Sequence, residues 1–215
     1  MKYIWVNPVA AGMYEPEILD EFLKQHEYQR FETSMDWLSI VREKYGEAVK
    51  QSDKTVIDMR CPKAAELVRE IGESLQVTFP DIYPILIHCG QEAGFTEDLL
   101  NAEKIITTPC KALADMGNAL GISKTEFISW NEFLTSFADI PKSTLLKHSP
   151  IPLGFFEPLN LKCKSLTGKE EIENYFKKFQ SNEVQLVEML YCKDGCHNGD
   201  GVVRESNTFD SNSGK

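Results

Sequence analysis

Four of the chain's six cysteines lie in three short motifs whose residues could bind a metal. Cys61 stands in Arg-Cys-Pro, Cys110 in Thr-Pro-Cys, and Cys192 and Cys196 in Tyr-Cys-Lys-Asp-Gly-Cys. Each motif follows a predicted strand and precedes a turn or a helix, where a thiolate can project from the edge of a sheet. Four thiolates that meet at one point suit an iron–sulfur cluster or a tetrahedral zinc ion. The spacing therefore predicts a metal centre and leaves the identity of the metal open.

The sequence around these cysteines offers groups that would stabilise a negatively charged centre. Cys61 and Cys110 precede predicted helices, whose first amides are unpaired and whose dipole is positive at that end. Gly195, Gly199 and Gly201 would let the last loop bend closely around a bulky inorganic centre. Structural zinc stays an alternative, although the usual knuckles, in which two residues separate a pair of cysteines, are missing.

Three further residues receive structural interpretations. Cys89 and Cys163 are predicted to be buried, apolar thiols that bind nothing. His197 directly follows Cys196 and is predicted to be a solvent-facing loop residue, with a role as occasional ligand or proton carrier as the alternative.

The size and charge of the chain narrow the classes of function. Its 215 residues, of which 42% are hydrophobic and 26% charged, are typical of a globular protein. The formal net charge of −10 argues against nonspecific binding to nucleic acid or to an anionic membrane, because phosphates would be repelled. The chain starts without a signal-peptide pattern, and no apolar run approaches the roughly 20 residues that span a bilayer. We therefore expect a cytoplasmic protein whose reduced cysteines serve as ligands.

Strand-like and helix-like segments alternate along most of the chain. The predicted strands are 2–7, 55–59, 83–89, 104–108, 125–130 and 184–190, and the predicted helices are 15–26, 35–50, 131–138, 168–179 and one each from Pro62 and Lys111. The proline-rich stretch 141–167 predicts a long ordered loop. The alternation predicts an α/β fold with a largely parallel sheet, in which ligands gather at the carboxyl ends of strands. We expect one domain over 1–202 and a disordered polar tail over 203–215.

The three motifs, in this order, resemble the cluster-binding motifs of the C-terminal catalytic domain of the iron-only hydrogenase large subunit and its non-catalytic relatives. Members of that family have a Cys-Cys-Pro motif, a Pro-Cys motif and a Glu-x-Met-x-Cys-x-x-x-Cys-x-x-Gly-Gly-Gly motif. The corresponding segments here are 60–62, 109–110 and 188–201, and the last is the most specific. Segment 127–134 also looks like the strand and helix that follow the middle motif. The resemblance covers roughly residues 54–201.

The resemblance implies an iron-only-hydrogenase-like scaffold in which four cysteines bind a 4Fe-4S cluster. These ligands would be Cys61, Cys110, Cys192 and Cys196. In true hydrogenases, the last of the four cysteines also bridges to a diiron subsite, which needs further groups from the protein.

The chain departs from the family at the groups that serve the diiron subsite. Arg60 replaces the proton-relay cysteine, Leu113 replaces a lysine that contacts cyanide, and Leu190 replaces a methionine. Asp200 replaces the middle glycine of the final triplet. The resemblance therefore implies a cluster-binding protein that lacks the diiron subsite and hydrogen turnover.

The leading hypothesis is a cytoplasmic 4Fe-4S protein that acts in electron transfer, redox sensing or regulation together with a redox or regulatory protein partner. The alternatives are a small catalytic iron-only hydrogenase domain and an α/β module whose thiolates bind zinc or no metal. Arg60 either neutralises part of the cluster charge or gates access to it, or is an exposed arginine at the start of a helix. The loop Ser149–Phe156 could line the cluster cavity.

Overall fold

The computed structural model describes residues 2–72, 75–180 and 183–203, and it confirms the predicted α/β fold. Helices and strands alternate along the chain, and the strands form two four-stranded sheets in which all neighbouring strands are parallel. The predicted polar tail lies outside the described residues except for Val203. Within the described ranges, no helix is long and apolar enough to cross a membrane.

The elements are numbered in chain order. The strands are β1 (Lys2–Trp5), β2 (Tyr28–Arg30), β3 (Thr55–Ile57), β4 (Val77–Thr78), β5 (Lys104–Thr108), β6 (Thr125–Ser129), β7 (Cys163–Thr167) and β8 (Leu186–Leu190). The helices are α1 (Pro8–Ala11), α2 (Pro16–Gln25), α3 (Trp37–Gln51), α4 (Pro62–Ile71), α5 (Ile85–Phe95), α6 (Lys111–Ala119), α7 (Trp130–Leu134) and α8 (Lys169–Phe176). Short 3-10 turns cover Glu97–Leu99, Glu157–Leu159 and Cys196–Asn198.

Local sequence explains why the helices begin where they do. Pro16 and Pro62 occupy the first positions of α2 and α4, where the missing amide of proline costs nothing. The side chain of Asp36 accepts a hydrogen bond from the amide of Ser39 and caps α3. Because α2 carries most of its apolar residues on one face, it buries Leu19, Phe22 and Leu23 in a core cluster shared with the first sheet.

The chain passes back and forth between the two sheets. It contributes β1 and β2 to the first sheet, β3 and β4 to the second, β5 and β6 to the first again, and β7 and β8 to the second. The strand order is β2-β1-β5-β6 in the first sheet and β4-β3-β8-β7 in the second. Each sheet therefore has two central strands that come from distant parts of the sequence.

The central strands of the first sheet create a topological switch point. There, β1 connects to its outer neighbour β2 and β5 connects to its outer neighbour β6, so the two crossovers run in opposite directions. In the second sheet, β3 connects to β4 but β8 is reached from β7, so both crossovers run in the same direction and their helices α4 and α8 pack together. A crevice forms at the carboxyl ends of strands at a switch point, and ligands of parallel sheets bind there. The fold thus offers this crevice, with the adjoining loops after β3 and β8, as a candidate site.

The predicted strand over 83–89 is wrong, because this segment begins helix α5. Its apolar run is long enough for a buried strand, but a buried helix gives the same pattern over so few residues. Leu86, Ile87 and Cys89 are all buried, so the helix is apolar on most sides. Gly90, which was expected to end a strand, lies inside the helix.

Glycines on α5 and α6 make room for one aromatic ring. Phe127 of β6 packs between these helices, and a Cβ atom at Gly90 would lie 2.3 Å from its Cζ atom. A Cβ atom at Gly117 would lie 2.3 Å from its Cδ1 atom. Because both contacts are far shorter than a van der Waals distance, these two glycines allow the helices to approach β6.

Replacing Gly117 with alanine should therefore destabilise the protein. The added methyl group must displace the buried Phe127 ring, and such overpacking costs about 1–3 kcal/mol in the free energy of unfolding. Urea denaturation measures this loss. The matched control is Gly46→Ala on α3, where the new Cβ atom would meet Leu159 at an ordinary 3.4 Å. The control should be neutral or stabilising by up to about 1 kcal/mol, and equal losses in both variants would contradict the packing argument.

The predicted loop over 141–167 is partly wrong, because its last five residues form β7. This strand pairs along its whole length with β8, from Cys163 opposite Leu186 to Thr167 opposite Leu190. Only Leu166 of β7 is fully buried, so the strand lacks a strong apolar pattern. The short strands β2 and β4 and the helix α1 were also not predicted. Their few residues give too little periodicity to detect.

Candidate metal centre

The four predicted ligands all follow central strands at the carboxyl ends of the two sheets. Cys61 follows β3 and Cys192 follows β8, the two central strands of the second sheet. Cys110 follows β5, at the switch point of the first sheet. Cys196 lies in the loop after β8 and begins a 3-10 turn. The topology therefore directs three separate cysteine motifs to the region where the two sheets adjoin.

Close backbone contacts join the last cysteine loop to the loop that carries Cys110. The amide of Gly201 donates to the carbonyl of Pro109 over 3.1 Å, and the amide of Asn131 donates to the carbonyl of Gly201 over 3.0 Å. A Cβ atom at Gly199 would lie 2.3 Å from the carbonyl oxygen of Pro109. A side chain at this position would push the two loops apart, so the glycine permits the approach of Cys196 to Cys110.

Backbone amides point at the thiol sulfurs. The amide of Tyr191 donates to the Sγ atom of Cys61 over 3.4 Å. The amides of Ala64 and Leu113, in the first turns of α4 and α6, lie near the thiols of Cys61 and Cys110 and act to lower the pKa of each. These donors favour the thiolate form and would also hydrogen-bond to sulfur atoms that are bound to a metal.

The thiol groups lie near enough to influence one another's charge. Burial is the largest cause of the raised pKa of Cys196, and negative charge on Cys61, Cys110 and Cys192 raises this pKa further. Burial raises the pKa of Cys110 to about 12, again with contributions from Cys61 and Cys192. The pKa of Cys61 is raised by burial and by Cys192. The structure therefore brings all four predicted ligands into one electrostatic group, although they come from three distant parts of the chain.

A bound cation would remove the repulsion within this group. Each thiol has to lose its proton when it binds a metal, so positive charge at the centre would compensate for burial and for the neighbouring thiolates. In the described part of the chain, no group of three or more Cys, His, Asp or Glu side chains is arranged to hold a single metal ion. The four ligands of a cluster bind separate iron atoms and do not have to meet around one ion.

The two remaining cysteines lie outside this group; Cys89 is buried, as predicted, whereas Cys163 is less buried than predicted. Cys89 is buried in α5 and packs against Ile106 and Phe127 in an apolar cluster. Cys163 is partly buried at the amino end of β7, one strand length from the cysteine loops. Burial raises the pKa of Cys89 to about 12 and that of Cys163 to about 11. Both thiols are therefore protonated at neutral pH.

The interpretation of Arg60 as an exposed arginine is wrong. Its side chain is only 7% exposed and forms ion pairs with Asp58 and Glu188, each with an N···O distance of 2.8 Å. A second hydrogen bond joins its Nε atom to Asp58 over 3.0 Å. Burial alone would lower the pKa of Arg60, but the two carboxylates raise it, so the guanidinium is permanently charged. Arg60 is thus a fixed cation directly before Cys61.

The other replaced family positions also have defined environments. The side chains of Leu113 and Leu190 are buried and apolar, so neither side chain can donate a hydrogen bond. Asp200 accepts a hydrogen bond from the amide of Lys111 over 3.1 Å and forms an ion pair with Lys63. Partial burial works against it, but Lys63 and this amide lower the pKa of Asp200. Asp200 therefore links the first turns of α4 and α6 across the cysteine loops.

His197 is less exposed than predicted. It is partly buried, and its Nδ1 atom has no hydrogen-bond partner among the residues that the structure describes. Its side chain lines a cavity of about 400 Å³ together with apolar residues that include Met13, Leu146 and Val202.

Sequence reasoning missed the two carboxylates that bind Arg60. Asp58 and Glu188 are fully buried, and each is the one charged residue within an apolar strand segment, TVIDM and LVEML respectively. A buried carboxylate needs a partner, so two such residues signal a buried cation. Arg60 would have been the natural candidate, because it lies two residues after Asp58.

Comparison with known proteins gives no match to this chain. No family model matches it, and no curated protein and no solved structure shows significant similarity to it. Function therefore has to be inferred from the arrangement of the cysteines and their surroundings.

Proposed function

We propose that this chain is a 4Fe-4S protein with an iron-only-hydrogenase-like scaffold, which acts in electron transfer, redox sensing or regulation and does not turn over hydrogen. The observation that carries the proposal is the electrostatic grouping of four thiols from three loops at the adjoining carboxyl ends of the two sheets. The cluster ligands would be Cys61, Cys110, Cys192 and Cys196. We further propose that the protein works in the cytoplasm, where these thiols stay reduced, and with a redox or regulatory protein partner.

The residues around the thiols suit a cluster of this charge. The amide of Tyr191 donates a hydrogen bond to the sulfur of Cys61, and the amides of Ala64 and Leu113 lie near the thiols of Cys61 and Cys110. Hydrogen bonds to sulfur adjust the potential of a cluster. Close packing at Gly199 and Gly201 keeps the last loop against the loop of Cys110. When bound, the cluster would supply reversible one-electron chemistry, while the protein sets its burial and hydrogen bonding.

The absence of hydrogen turnover is proposed from the groups that the chain has in place of the family's residues. Arg60 has no proton to give at neutral pH, because its guanidinium is held by two carboxylates. Leu113 and Leu190 bring apolar surface where the family has a lysine and a methionine. A proton path and the contacts for a diiron subsite are therefore not provided by these residues.

Reconstitution without oxygen tests the proposal. Incubation of the reduced protein with ferrous iron and sulfide should give a brown protein with about four iron atoms and four acid-labile sulfides per chain, as the cluster type requires. Chemical iron and sulfide assays measure the stoichiometry, and electron paramagnetic resonance of the reduced protein identifies the cluster.

The same experiment separates the alternatives. A colourless protein that binds one zinc ion and no sulfide would support the zinc-binding module and overturn the cluster. Carbonyl bands in the infrared spectrum after incubation with the diiron precursor, together with hydrogen evolution from reduced dye, would establish a catalytic hydrogenase. All samples have to be prepared without oxygen, because clusters decay in air and zinc then occupies the vacated thiolates.

A further inference from the structure

The segment Ser149–Phe156 contacts the cysteine loops at its first residues. A Cβ atom at Gly195 would lie 2.5 Å from the Cβ atom of Ser149, so the segment and the loop of Cys196 are in close contact. Ile151 and Cys196 pack against the same apolar cluster, which includes Met13. The first half of the segment therefore lies beside Cys196, whose pKa is raised by burial and by the charges of the other three thiols.

The last residues of the segment are fixed by a buried carboxylate. Glu188 accepts hydrogen bonds from the amide of Gly154 over 2.8 Å and from the amide of Phe155 over 3.0 Å. It also accepts a hydrogen bond from the hydroxyl group of Ser165 over 2.7 Å. A carboxylate with this many donors is held in one orientation, and its remaining partner is Arg60.

Two arginines enclose the ring of Phe155. The guanidinium carbon of Arg60 lies 3.9 Å from the ring centroid, and that of Arg42 lies 4.8 Å from it. Arg42 also donates from its Nε atom to the carbonyl of Phe155 over 2.8 Å. Arg60 reaches the neighbouring Phe156 ring as well, at 4.6 Å. Both contacts of Arg60 are cation–π interactions of a buried charge, which are stronger than exposed ones.

We propose that Arg60 is a positioning residue that clamps the segment Ser149–Phe156 as a cover over the cysteine site and so limits the access of solvent and small oxidants. The side chain joins the segment to the ends of the two cysteine-bearing strands, because it binds Asp58 after β3, Glu188 within β8 and the Phe155 ring at the same time. A lysine cannot reproduce this arrangement, since it has no planar fork for two carboxylates and no flat face for a ring. The cover itself does not depend on a cluster, but its protective role rests on the function proposed above.

Hydrogen exchange of the metal-free full chain tests the clamp without any cofactor. Arg60→Lys should speed exchange of the Gly154 and Phe155 amides roughly tenfold, which corresponds to about 1.4 kcal/mol of lost closing free energy. The matched control is Arg42→Lys, which loses a contact with the same ring but leaves the two carboxylates paired. It should cause a clearly smaller change.

Strand β5 provides the internal reference. Its five residues are buried in the centre of the first sheet, so their amides exchange by global unfolding and report the overall stability of each protein. If Gly154 and Phe155 exchange no faster in Arg60→Lys than in the wild type, the proposal is overturned. Exchange of Gly154 and Phe155 as slow as that of β5 in the wild type would also overturn it, because the segment would then open only with the whole fold and would not be a separate cover.

A second readout uses the reconstituted protein. In Arg60→Lys, an iron chelator or air should bleach the cluster several times faster than in the wild type, whereas Arg42→Lys should behave almost like the wild type. Equal bleaching rates in all three proteins would contradict a protective cover. If even the wild type takes up no iron, the proposed function fails, and the exchange experiment still decides whether Arg60 holds the segment.

Discussion

Replacing Cys196 with serine is expected to abolish binding of the cluster while leaving the fold intact. A serine hydroxyl stays protonated at neutral pH and is a poor ligand for iron, so the variant should keep fewer than about one of the roughly four iron atoms that a 4Fe-4S protein binds. Cys196 is the informative choice, because the charges of the other three thiols all act on it. Iron and sulfide assays after anaerobic reconstitution measure the loss.

Cys163→Ser is the matched control for this experiment. The substitution is the same, but Cys163 lies at the amino end of β7, whereas the candidate ligands follow the carboxyl ends of β3, β5 and β8. The control should bind a full complement of iron. Full iron content in Cys196→Ser, or equal losses in both variants, would contradict the assignment of the ligands. Circular dichroism shows whether either protein has unfolded.

Replacing Arg60 with methionine is expected to cause the largest loss of stability. Asp58 and Glu188 are both fully buried, and they would be left without the cation that pairs with them. Breaking a buried ion pair from one side costs about 3–5 kcal/mol, because a charge then remains in a poorly solvated place. Urea denaturation of the metal-free protein measures the change in the free energy of unfolding.

Two further variants show whether charge is the cause. Adding Glu188→Gln to Arg60→Met removes one of the stranded carboxylates, so the double variant should regain part of the lost stability. Arg69→Met, on the half-exposed part of α4, breaks an exposed ion pair with Glu66 and a cation–π contact with the Phe79 ring, and it should cost about 1 kcal/mol. If Arg60→Met costs no more than Arg69→Met, the buried network does not contribute as argued.

The sequence predicts the elements that carry the cysteines because these elements have strong and unambiguous patterns. The strands β3, β5 and β8 are fully buried in parallel sheets, so they appear as short runs rich in apolar and β-branched residues. A proline or a good helix former directly after each of Cys61 and Cys110 then marks the start of a helix. With the order of elements known, the position of the cysteines at the carboxyl ends follows from the rules of parallel sheets.

Other parts of the fold depend on contacts between residues far apart in the chain. The segment around Gly90 is a helix because it packs on Phe127, which lies 37 positions later, and local sequence contains no sign of that ring. The separation of the strands into two sheets likewise depends on long-range pairing, such as that between β1 and β5. An alternation of strands and helices is compatible with one sheet or with two.

The position of Arg60 illustrates a different limit. From the sequence, an arginine before a helix suggests exposure, and the two acidic residues that bury it lie 2 and 128 positions away. The replaced family cysteine directed attention to this residue, but its partners became visible only in the structure. The result changes the interpretation from an exposed arginine to a fixed charge that connects both cysteine-bearing strands.

The most direct test of the central claim is a crystal structure of the anaerobically reconstituted protein with iron anomalous scattering. We expect one compact iron peak, bounded by the Sγ atoms of Cys61, Cys110, Cys192 and Cys196, with no zinc signal at the zinc absorption edge. Iron bound elsewhere, or a well-ordered site in which one of these four sulfur atoms points away from the metal, would contradict the account.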